Sequence, residues 1–64
     1  MSKKVKENSM IGKKGRTLFP PETIFTNIKG EIIQEKMSAI GEMEYLIDSP
    51  MRQQWVLESH LEIT

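Results

Sequence analysis

The chain has no cysteine, one histidine and four aromatic residues among its 64. Without cysteine there is no disulfide framework and no thiolate metal site. The lone His60 lacks partners spaced for metal ligation or for nucleophilic catalysis, and reads as a surface side chain. No apolar run approaches the roughly 18 residues of a membrane span. The first residues are basic, but no apolar stretch follows them, so no secretory signal is expected and the reading is an intracellular, cytoplasmic chain. Gly12-Lys13-Lys14-Gly15 is not a phosphate loop: two residues rather than four separate its glycines, and Arg16 follows where the loop needs Lys-Ser/Thr. Glu31, Glu35 and Glu42 lack the Glu-x-x-His companion of a carboxylate metal site in a helix bundle, and read as a solvated stripe. The sequence therefore gives no catalytic residue, no metal ligand, no cofactor and no small-molecule substrate.

What is present is an uneven distribution of charge. Nine basic and nine acidic residues cancel over the whole chain. Residues 1–16 hold Lys3, Lys4, Lys6, Lys13, Lys14 and Arg16 against Glu7, a net charge of +5. Residues 17–64 hold three basic side chains against eight acids, a net charge of −5. Only Met1, Val5, Met10 and Ile11 are apolar in the first segment. A polar, charged segment with few apolar groups does not offset its ordering entropy. Residues 1–16 thus read as a flexible basic arm and residues 17–64 as a single small folded domain. A core of that size is near the limit of independent folding, and with no disulfide to help, self-association is expected.

Hydrophobic periodicity points to helix. At about 100° per residue, Ile24, Phe25, Ile28, Ile32, Ile33, Ala39, Ile40, Met43, Leu46 and Ile47 share one half of the wheel. Pro20-Pro21-Glu22 suits a helix start, and Ser49-Pro50 suits the cap and first position of a second helix. The expectation is a mainly α fold, a small helical hairpin or helix-turn-helix-like unit. Its first helix runs from about Pro21 to Asp48, with a break allowed at Gly30, and its second from Pro50 to about Leu61. The alternative is α+β. Thr23–Gly30 is rich in strand formers, so a β-hairpin over about 23–34 competes, with a turn at Asn27–Gly30. Trp55, Leu57, Leu61 and Ile63 alternate with polar residues, so a C-terminal strand over about 54–63 competes with the second helix. No motif of ribbon-helix-helix, helix-turn-helix, zinc or helical-hairpin RNA-binding families is matched residue by residue.

Function is then expected to be non-enzymatic: a small regulatory or adaptor protein acting by protein–protein contact, as a homo-oligomer or with a partner protein. Ile33, Ile40, Met43, Leu46 and Trp55 would form the interface along the amphipathic helix. The alternative is a nucleic-acid-associated regulator whose Lys3, Lys4, Lys6, Lys13, Lys14 and Arg16 contact phosphates.

Overall fold

The computed structural model describes residues 9–64 and is an all-β domain. Five strands form one antiparallel sheet: β1 Lys14–Thr17, β2 Lys29–Met37, β3 Met43–Asp48, β4 Gln53–Leu57 and β5 Leu61–Ile63. One turn of 3-10 helix, η1 Glu58–His60, joins β4 to β5. The strand order is β4-β3-β2-β1-β5. The expected mainly α fold is thereby corrected: no long helix occurs among the described residues, and the spans Pro21–Asp48 and Pro50–Leu61 are loops and strands with a single 3-10 turn. The α+β alternative also fails as a fold. Residues 23–34 do not turn back on themselves, because Gly30 lies inside β2. Strands do occupy Gln53–Leu57 and Leu61–Ile63, interrupted at Ser59 by η1.

The connectivity forces the sheet to roll. β4 and β5 are its two edges, yet only three residues separate them. In a flat sheet they would lie about 19 Å apart, four strand spacings. The four Cα–Cα steps from Leu57 to Leu61 reach about 14 Å when fully extended, and a 3-10 turn shortens that further. The sheet therefore curls until its edges approach at one end. Ile28, Ile32, Tyr45, Ile47 and Val56 fill the concave side, with Met10, Phe19, Met43 and Leu61 packed against them.

Register explains which side chains enter this core. Residues directly opposite in a ladder share a face. Tyr45 pairs with Val56 and Ile47 with Ile32, all inward. Leu46 pairs with Trp55 on the outer face. Between Ile32 and Gln34 the β2–β3 register slips, leaving Ile33 as the extra residue of a bulge. A bulge bends its strand and sharpens its twist. That bend lets β2 pair with β1 through Lys29–Glu31 while following β3 along its length.

Two glycines are dictated by this geometry. A Cβ on Gly30 would sit 2.1 Å from the Asp48 carbonyl oxygen, so β3 crosses β2 where only a hydrogen fits. Gly41 closes the β2–β3 turn at φ +87, a conformation L side chains rarely adopt. The Ser49-Pro50 pair serves a different end from the helix cap it suggests. Ser49 Oγ accepts from the Arg52 N–H at 3.1 Å and donates to the Arg52 carbonyl at 2.7 Å, which fixes the tight β3–β4 turn.

Candidate protein-docking site

The longest connection between strands runs from Leu18 to Ile28, and it is tied down at its base, middle and side. At the base, Thr17 is 2 % exposed. Its hydroxyl donates to Asn27 Oδ1 and accepts from the Ile28 N–H, both at 2.9 Å. Asn27 Oδ1 also accepts from the Phe19 N–H at 2.6 Å. These bonds lock the two ends of the loop together. Within the loop, Thr23 N–H and Oγ1 both donate to the Pro20 carbonyl, at 3.1 and 3.0 Å. Phe19 stacks on Phe25 with centroids 5.3 Å apart and lies 5.8 Å from the His60 ring. The Leu18 N–H donates to the His60 carbonyl at 2.7 Å, so the loop is seated on η1. From the other side, Arg52 donates to the Thr26 carbonyl at 2.6 Å and to Thr26 Oγ1 at 3.1 Å.

This anchored loop turns large apolar side chains outward. Ile24 is 91 % exposed, Phe25 49 % and Leu18 46 %. Beside it lies an open cleft of about 420 Å³, lined by Arg16, Thr17, Leu18, Asn27, Ile28 and Lys29. Arg16 is ion-paired with Glu62 across β1 and β5. Lys29 has no such partner among the described residues. Lys29 thus stands as a cation on the rim, and Leu18 and Ile28 form the apolar part of a wall that also holds Thr17 and Asn27.

The residues singled out from sequence are dispersed by the fold. Lys3, Lys4 and Lys6 lie outside the described residues. Lys13 is exposed in the turn before β1, whereas Lys14 and Arg16 point outward from β1 itself, so the boundary at residues 16/17 falls within a strand. Lys14 faces Glu31, and Arg16 is held by Glu62. The five proposed interface residues share no helix face, because there is no helix. Ile33 is the bulge, Ile40 is exposed in the β2–β3 turn, and Met43 packs on the core. Only Leu46 and Trp55 stay neighbours, as a cross-strand pair on the outer face. There Lys36 Nζ lies 4.4 Å from the Trp55 ring centroid and 3.8 Å from Glu44.

The glutamates also separate. Glu31 faces Asp48 and Lys14, Glu35 accepts from the Met10 N–H at 3.1 Å, and Glu42 accepts from the Ser59 N–H at 2.6 Å. Among the described residues, no three potential ligands group to hold a metal ion, and no helix is long and apolar enough to cross a membrane. Leu18, Ile24, Phe25 and the Thr17–Asn27 lock do not stand out in the sequence as a site. The signal for them is Thr17-Leu18-Phe19-Pro20-Pro21, a strand end followed by a turn, which also reads as the approach to a helix.

Comparison of the chain with protein-family models, curated proteins and solved structures gave no match.

Proposed function

We propose that the chain is a non-enzymatic binding module that acts through protein–protein contact at the β1–β2 loop. The observation that carries this is Ile24 standing 91 % exposed on a loop that is hydrogen-bonded at both ends. Holding a large apolar side chain in water on an ordered loop costs free energy, which a partner covering it recovers. Phe25 and Leu18 extend the apolar surface, and Lys29 beside it suits a partner segment that mixes apolar and acidic residues.

The nucleic-acid reading draws less support from the geometry. Of the basic residues it needs, Arg16 is committed to Glu62 and Lys14 lies opposite Glu31. One set of experiments separates the two. Immobilised wild-type protein and an Ile24→Ser/Phe25→Ser variant are compared for retention of partner proteins, after nuclease treatment and with folding checked by circular dichroism. Loss of specific proteins with the folded variant is the expected result. Retention that ignores the loop substitutions counts against the proposal. So does DNA or RNA binding at low salt that disappears when Lys3, Lys4 and Lys6 are replaced by alanine, which leaves β1 intact.

A further inference from the structure

The two edges of the sheet differ in how they are protected. β5 has three residues and carries Glu62. β4 runs Gln53-Gln54-Trp55-Val56-Leu57, with no charge, no proline and no bulge in its ladder with β3. Exposed edges are ordinarily blunted by such devices, and an edge without them is a template for another strand.

Which backbone groups β4 offers follows from its register. The Ser49 N–H donates to the Arg52 carbonyl at 3.1 Å, so Ser49 and Arg52 form a hydrogen-bonded pair. Such pairs alternate along an antiparallel ladder. Gln54 and Val56 therefore direct their N–H and C=O groups at β3. Gln53, Trp55 and Leu57 direct theirs away from it, toward the open edge.

The sequence around β4 is charge-palindromic about Trp55. Arg52 lies three residues before it and Glu58 three residues after it. Neither has an ion-pair partner among the described residues. Arg52 instead donates to neutral acceptors on Gln54 and Thr26. In an antiparallel pairing centred on Trp55, Arg52 of each copy faces Glu58 of the other. Trp55 faces its own symmetry mate, and Gln53 faces Leu57. Antiparallel strands can be centred on a hydrogen-bonded pair only where the central residue points its N–H and C=O at the partner, and Trp55 does.

We propose that β4 is a self-pairing edge, and that two copies of this chain join their sheets through it about a two-fold axis at Trp55. The pairing is isologous and closes at two copies. It brings the outer-face side chains Leu46, Trp55 and Leu57 of one copy beside those of the other. It shares only Arg52 with the β1–β2 loop, through the bonds to Thr26, so Glu58→Arg and Gln53→Pro test the pairing apart from the loop.

The test is mass by light scattering over a concentration series of the full chain, with amide exchange measured alongside. The expected mass rises from 7.4 kDa to twice that value. The amides of Gln53, Trp55 and Leu57 gain protection on association, while those of Gln54 and Val56 are protected throughout. Arg52→Glu or Glu58→Arg alone turns two symmetry-related attractions into repulsions and weakens association by roughly tenfold or more. The double variant restores it. Gln53→Pro abolishes association without touching the β3 ladder, because the N–H it deletes faces the open edge. Glu58→Arg, on the exposed 3-10 turn, decides the matter if a β4 variant fails to fold. A constant monomer mass overturns the proposal, as does a dimer indifferent to these variants or growth to open-ended polymers.

Discussion

Replacing Thr17 by valine keeps the shape of the side chain and removes one oxygen. On burial alone the change is favourable: a methyl replaces a hydroxyl in a site 2 % exposed, worth about 0.8 kcal/mol. Hydrogen bonding says the opposite. The Ile28 N–H donates to Thr17 Oγ1 at 2.9 Å, and Ile28 is itself buried. Valine leaves that amide without an acceptor in a place water does not reach, at a cost of about 1–3 kcal/mol. It also removes the bond to Asn27 Oδ1 that helps hold the loop ends together. The second effect wins, for a net loss of about 1–2 kcal/mol. In a domain this small, each kcal/mol lowers the melting temperature by about 4–8 °C, so the expected drop is about 5–15 °C. Thermal circular dichroism reads the drop, and amide exchange locates it. Ile28 loses protection in Thr17→Val and keeps it in Thr17→Ser, which retains both bonds. A melting temperature at or above wild type, with Ile28 still protected, would refute the reasoning.

Two other outcomes follow from the same geometry. Gly30→Ala places a Cβ against the Asp48 carbonyl and forces β2 and β3 apart. The expected destabilisation is about 3 kcal/mol, near the whole stability of so small a core, so the circular dichroism of the variant at room temperature reports a largely unfolded chain. Wild-type melting would show that the strands yield there. Tyr45 has its phenol pKa raised above the ordinary 10.0, first by burial and then by the nearby Glu58 and Glu35 carboxylates. The unfolded chain thus ionises first on going alkaline. The stability linked to this group is fully present below pH 10 and is lost as pH rises through the higher folded value. Tyr45→Phe should flatten that alkaline loss; tyrosinate absorbance appearing in the wild type below pH 10 without unfolding would contradict it.

Much of the strand pattern is present in the sequence, but in a form that imitates a helix. Ile28, just before β2, and Gly30 and Ile32 within it alternate inward, and then the bulge at Ile33 advances the phase by one. A single inserted residue between two period-two segments puts apolar groups at spacings of three and four, which is helical spacing. β3 and β4 add to the confusion because Leu46, Trp55 and Leu57 lie half-buried on the outer face, so the alternation of Tyr45, Ile47 and Val56 is filled in. Gly30 is ambiguous on its own, since the reason for it is the Asp48 carbonyl, eighteen residues away in sequence. The charge partition is legible from the start. Its meaning is not, because the partners of Lys14 and Arg16 come from β2 and β5. The apolar loop residues looked like part of a core-facing stripe because Ile24 and Phe25 sit in phase with it.

The pairing of β1 with β5 joins Gly15 to Ile63, near opposite ends of the described chain. All other ladders link strands that follow one another in sequence and can form as local hairpins. On a ribosome, the β2–β3 and β3–β4 hairpins can form as soon as they emerge, but β1 lacks its second neighbour until the last strand has been synthesised. Closing that long loop carries the largest chain-entropy cost in the fold and sets a late step in folding. Until then the outer edge of β1 is an open edge, and the nascent chain is most exposed to mispairing in that interval.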